Sequence, residues 1–364
     1  TNITASVQRA LGSISGDIGG VLGVGGGIGA ALGLKAAIGD LEIVDRKIRE
    51  TATLFGQPAN QSGGLIDSLQ TGVEGVSEKL GLLQTDIVPA LYDSISAGVP
   101  QSGINEFLVD IGKFATAGAA DITVAGDAVT TALNAWQLGA SETTKVTDSL
   151  FAAVQGGKTT VDQLGGALFN VAPAAASLNV PLQEVNAALA TMTSQGIPTS
   201  VATTRLNAAF TALLSKSKEL TPVFNALGYE TAEAAINSEG LQFAVNAVND
   251  AAEGSATGLL KLLGSTEAVQ SVQVLAGTGA QKFSDELDRQ AGAAGTVAEA
   301  FKIMDEGPAA AIRRFQADLQ SLGLTLAEAF SPILSAGLPA LQAFVPVIEA
   351  GAPIIEVFAK AIEV

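Results

Sequence analysis

The chain has 364 residues, with 19 Lys and Arg against 36 Asp and Glu, a net charge of −17 and a pI near 4.3. That balance, with no basic run, excludes a surface that wraps nucleic acid, because neutralising phosphates needs clustered cations. Zero His and zero Cys exclude Ser-His-Asp and Cys-His nucleophiles, His-ligated metals, thiolate zinc and disulfides. Aromatics at 5%, 41 Gly and a mean hydropathy of +0.38 describe helices packed through small apolar side chains, not a bulky enzyme core. No cofactor or metal is expected, and the first residues carry no secretory leader pattern.

The first segment, residues 1–39, is Gly-rich, and Ile18 to Leu34 contains no ionisable side chain. Gly25, Gly29 and Gly33 recur every fourth residue, which on a helix lines them along one groove where another backbone, or a membrane, can approach. A membrane span needs about 20 strongly apolar residues, and each glycine lowers helix propensity by about 1 kcal/mol against Ala, so a flexible glycine-rich loop or a helix packed against a copy of itself is the favoured reading.

Residues 40–102 read as amphipathic helices. Leu41, Val44, Ile48 and Phe55 face one way, opposite Asp45, Arg46, Lys47 and Glu50. After a break at Gln57 to Gly64, the pattern resumes at Ile66, Leu69, Val73, Val76 and Leu80, with a boundary expected near Val99-Pro100.

Residues 103–307 form the central unit, and its best-marked part is a run of capped helices. Ser141 precedes Val146, Leu150 and Val154 at four-residue spacing, and Gly156-Gly157 ends that helix. Thr160 and Gln163 have capping-box spacing ahead of Val161, Leu164, Leu168 and Val171, with Asn179 suited to a left-handed closing residue. Pro181 opens a helix through Val185, Leu189 and Met192 that Gly196 stops, and Pro198 opens another through Leu206, Phe210 and Leu213.

In the last segment, residues 308–364, Pro332, Pro339, Pro346 and Pro353 stand seven residues apart, as do Leu334, Leu341, Ile348 and Ile355 two places on. Such a proline heptad bends or breaks a helix, and partner packing suits it better than a membrane span. Leu334, Leu341, Ile348 and Ile355 therefore join the three glycines as candidates for self-association or membrane contact. The repeat is still running at Val364, which points to a longer protein.

Chemical motifs are weak. Ala152 to Thr159 fits a loose phosphate-loop expression, yet it follows a helical pattern where a strand is required, and Gly156-Gly157 reads as a helix cap. Gly23 to Gly29 lacks the strand a dinucleotide loop needs. Glu299, Asp305, Glu306 and Asp318 lie on polar helix faces as solvated charge, and Trp136, the lone tryptophan, is expected to be a packing anchor.

A resemblance then becomes specific. Leu133-Asn134-Ala135-Trp136, Val171-Ala172-Pro173-Ala174-Ala175-Ala176, Gln195-Gly196-Ile197, Ala202-Thr203-Thr204-Arg205-Leu206 and Leu227-Gly228-Tyr229 resemble the core of phage tail tape measure proteins, and the likeness continues from Ala309 to Pro332. Asn179 and Thr203 stand where glycine is usual in that family, and Asn207 where a basic residue is common. The resemblance implies an all-α fold, an elongated array of short helices and helical hairpins with Gly-rich and Pro-heptad flanking helices. It implies a non-enzymatic scaffold in the tail-tube lumen or baseplate of a virion, made in the host cytoplasm, which sets tail length and leaves with or ahead of the DNA. The partners it implies are the tail tube protein, a baseplate hub or distal tail protein, threefold or sixfold related copies of itself and the host envelope membrane at ejection, with no sequence-specific nucleic acid. The alternative is a membrane-inserting, pore-forming helical protein that uses Ile18 to Leu34 and Ala329 to Ile348.

Overall fold

The computed structural model describes residues 26–58 and 60–336, and among them every regular element is a helix. The first three helices are α1 (Gly26–Thr53), α2 (Gly63–Leu80) and α3 (Gln84–Ser96), followed by α4 (Ile104–Ala117), α5 (Ile122–Ala135) and α6 (Thr143–Gly156). Short elements follow: α7 (Val161–Leu168), α8 (Ala172–Ser177), α9 (Leu182–Ser194), α10 (Thr199–Ser215) and α11 (Ser217–Ala226). The rest are α12 (Ala232–Ala251), α13 (Ala256–Leu263), α14 (Thr266–Val272), α15 (Ala280–Ala291), α16 (Thr296–Asp305) and α17 (Pro308–Ala336). The all-α expectation holds, as an array of short helices joined by tight turns. Contacts divide the described residues into two units, residues 26–88 with 312–336, and residues 89–311.

In the first unit α1 buries Val44, Ile48 and Ala52, as its amphipathic pattern predicts, and α2 buries Leu65, Leu69, Val73, Val76 and Leu80. Leu65 takes the inward place the sequence reading gave to Ile66, which is half-buried beside it. The inner side of α17 buries Ala317, Leu324 and Ala327. Gln320 on the same helix accepts from the Gln84 backbone N–H at 2.7 Å and donates to Asp40 at 2.9 Å and Thr85 at 3.0 Å. One amide side chain thus caps the start of α3 and ties three elements of this unit together.

In the second unit α4 buries Ile104, Phe107, Leu108, Ile111 and Phe114, one face of a surface helix. Two helices are enclosed more completely. Every residue of α6 from Val146 to Ala153 is buried, and every residue of α9 from Val185 to Thr193. The single stripe read for α9 is only part of its packing, because Ala187, Ala188, Ala190 and the Thr side chains are small enough for helices to close in on the other sides. Buried threonines supply their own acceptors: Thr191 and Thr193 donate to the carbonyls of Ala187 and Leu189, both at 2.8 Å.

The turn chemistry follows the sequence closely. Thr160 accepts from the Gln163 N–H at 3.2 Å, Gly157 follows the last residue of α6, and Pro181 and Pro198 immediately precede α9 and α10. Asn179 adopts φ 55°, the left-handed conformation expected of it. Two readings change. Val161 to Val171 is not one helix with the residues after it, because Pro173 has no N–H and its ring excludes the carbonyl four residues back, so α7 stops at Leu168 and α8 starts afresh with proline in its first turn. Ser141 does not cap α6; it lies in a 3₁₀ turn, Ala140–Glu142, ahead of it.

Candidate functional site

One close-packed construction in the second unit is the crossing of α6, α9 and α15, which contact one another pairwise. The sequence permits it through Gly156-Gly157. A Cβ at Gly156 would run into the Glu286 carboxylate on α15, and one at Gly157 would lie 2.9 Å from the Ala190 backbone of α9. The glycine pair is therefore a place of close approach, and no strand among the described residues precedes it as phosphate binding would require. A cleft of about 480 Å³ opens beside it, lined by Lys158, Gln163, Thr193 and Thr199 among others. Thr199 in this lining is already engaged: its hydroxyl lies 2.7 Å from that of Thr159 and donates to Gln163 at 3.2 Å.

Polar side chains that sequence reasoning missed hold this crossing from inside. Ser149 on α6 donates to the Gln290 side chain at 2.6 Å and accepts from Asn186 at 2.8 Å, while Gln290 donates back to the Ser149 carbonyl at 3.1 Å. Glu286, wholly buried, pairs with Lys282 and Arg289 on its own helix, whose ammonium and guanidinium reach in from the surface. Asp148 is 3% exposed and accepts from the N–H groups of Gly295 at 2.7 Å and Val297 at 3.0 Å. It caps α16 from another helix, because Gly295 at the start of α16 has no side chain to cap with.

The same device recurs at Gly240. Its φ of 85° interrupts α12, and the freed N–H of Leu241 donates to Glu184 on α9. Burial pushes the Glu184 carboxyl above its ordinary 4.5, and the Leu241 hydrogen bond pulls the other way.

Trp136 sits at the end of α5, half-buried, and its indole N–H donates to the Val180 carbonyl at 2.8 Å. This bond ties the α8–α9 turn to the end of α5. Glu299, Glu306 and Asp318 are exposed and Asp305 is half-exposed, and no group of acidic residues able to hold a metal exists among the described residues. Gly29 and Gly33 lie on α1 and Leu334 on α17, whereas Gly25, Leu341, Ile348 and Ile355 lie outside the described residues. No helix among the described residues is long and apolar enough to cross a membrane.

These are the features of a packed structural element, with buried carboxylates spent on helix ends and ion pairs. Comparison with known proteins agrees in kind. The sequence pattern of the family described as phage-related minor tail protein matches residues 70–264. A probable tape measure protein of Clostridium phage phiCD119 is 26% identical over 291 residues, an alignment that takes in 76% of this chain and 30% of that protein. The chain thus spans under a third of the length of the curated relative it matches. No solved structure matches it. Since the family pattern runs through more than half of the chain, from α2 to just past the end of α13, the chain belongs to the family of phage-related minor tail proteins.

Proposed function

We propose that this chain is part of a tape measure protein: a luminal scaffold around which tail tube protein polymerises, which sets tail length and departs with or ahead of the DNA. The observation that carries the reading is the alignment with the phiCD119 probable tape measure protein, which takes in 76% of the chain. Composition fits the role. A luminal scaffold needs no catalytic residue, and a net charge of −17 keeps such a chain from adhering to the DNA that shares the tail. Several copies of the chain share the lumen in this reading, with the tail tube protein outside them and a baseplate hub or distal tail protein at one end.

Helical chain advances about 1.5 Å per residue, so contour length translates into tail length. The test is an in-frame deletion, in the phage, of the unit formed by residues 89–311, with tail lengths measured by electron microscopy. Tails are expected to shorten, by up to about 1.5 Å for each residue removed. Tails of unchanged length would overturn the ruler role of this segment.

A further inference from the structure

α12 is interrupted at a single residue, Gly240, whose φ of 85° and ψ of 172° lie in a region that essentially only glycine enters. Before the break the helix buries Ala232, Ala235 and Ile236, and after it Leu241, Ala244, Val245 and Val248. On a continuous helix, at about 100° per residue, the centres of these two sets stand about 180° apart, on opposite sides. The bend is what lets both halves bury their apolar side chains.

Leu241 shows how the bend is held. In a continuous helix its N–H donates to the Asn237 carbonyl, four residues back; the turned backbone at Gly240 aims it at the Glu184 carboxylate of α9 instead. The dihedrals of Gly240 decide which acceptor it meets. Glu184 is the one ionisable side chain of α9, and it lies so close that a Cβ at Gly240 would come within 3.0 Å of its carboxylate. Tyr229, in the turn before α12, reaches both sides of the break: its hydroxyl donates to Glu239 at 2.9 Å, and its ring meets Phe243 edge-on with centroids 5.6 Å apart. Glu239 and Phe243 are four residues apart and so are neighbours on a continuous helix as well, which makes Tyr229 a pivot common to both arrangements.

We propose that Gly240 is a hinge with two settings: the observed bent one, latched by Glu184, and a straight one in which residues 232–251 run as a single helix about 30 Å long. Two dihedrals of one residue separate them. Straightening carries Leu241, Ala244, Val245 and Val248 to the side opposite Ala235 and Ile236, so the latch decides whether this part of the second unit is closed or opened with a new apolar face. Exposing that face is unfavourable, which keeps the bent setting dominant while Glu184 is in place. Within the scaffold reading the hinge supplies a first step from packed to extended chain; the hinge itself does not depend on that reading, so either fails without the other.

The chain has no cysteine, so a single introduced thiol reports burial at its own position. Val245→Cys and, as a control, Val146→Cys on α6, both buried, are placed in the 364-residue chain and their modification by a maleimide is timed. Gly240→Ala removes the bent setting and is expected to raise the Val245→Cys rate at least about tenfold, while Val146→Cys stays protected and helicity by circular dichroism does not fall. Glu184→Ala with Gly240 intact is expected to raise the Val245→Cys rate severalfold, and Glu184→Gln, which keeps an acceptor for the Leu241 N–H, to raise it less. A Val245→Cys thiol that stays protected beside Gly240→Ala, a Val146→Cys thiol that becomes reactive together with it, or equal Val245→Cys rates with Glu184 and with Glu184→Ala would each overturn the hinge.

Discussion

The crossing of α6, α9 and α15 and the helix α17 solve opposite problems with the same Ala-rich vocabulary. At the crossing, α6 and α9 are enclosed on nearly all sides, and the polar groups Asp148, Ser149 and Gln290 carried inside are answered by donors and acceptors from other elements, while the Asn186 Oδ1 is buried without one. On α17 one side is packed and the other presents Ile312, Phe315, Leu322 and Leu326 to solvent. The difference teaches that helices of like, Ala-rich composition end either enclosed or with one apolar face open to solvent.

The largest expected effect comes from breaking the enclosed region at its cap. Asp148→Ala leaves the N–H groups of Gly295 and Val297 without their carboxylate and is expected to destabilise the second unit by about 3 kcal/mol, read by urea denaturation. A loss below about 1 kcal/mol would mean that α16 is held by apolar contact alone. Next is a matched pair of glycine substitutions. Gly156→Ala forces a methyl group against Glu286 and is expected to cost about 2 kcal/mol, although alanine is the better helix former. Gly75→Ala on α2, where nothing lies within 4 Å of the added carbon, is expected to gain about 0.5 to 1 kcal/mol in the same assay. Equal signs for the two would remove close approach as the reason for Gly156.

The smallest effect sharpens the picture of Glu184. Its folded-state carboxyl titrates above the ordinary 4.5, so the folded chain holds this proton more tightly than the unfolded one. The group's contribution to stability is therefore fully present below about pH 4.5 and lost as pH rises through the raised value. Glu184→Gln removes that dependence, so its Tm relative to the wild type is expected to rise between about pH 4 and pH 7. An identical Tm difference at the two pH values would place the carboxyl in an ordinary solvated setting.

Much of the fold was legible because its signals are local. The capping hydroxyl of Thr160, the left-handed Asn179 and the helix-opening Pro181 and Pro198 each act on backbone within a few residues, and each does in the structure what its chemistry implies. The acceptor of the Trp136 indole N–H, Val180, lies 44 positions away in the chain and left no local trace. A faint signal for the missed residues does exist: α16 and the second half of α12 start at glycines without a capping side chain, which implies that caps arrive from elsewhere.

The sequence by itself determined that this protein is helical, where most helices start and stop, that its chemistry runs without His or Cys, and which tail protein family it resembles, because propensity, capping and composition are properties of neighbours along the chain. Tertiary structure alone decided that Asp148 and Glu184 cap helices not their own, that Gly156-Gly157 is a place of close helix approach, and that the outer face of α17 is left open. Those outcomes depend on which distant surfaces meet, and a single chain of residues records the surfaces but not their pairing.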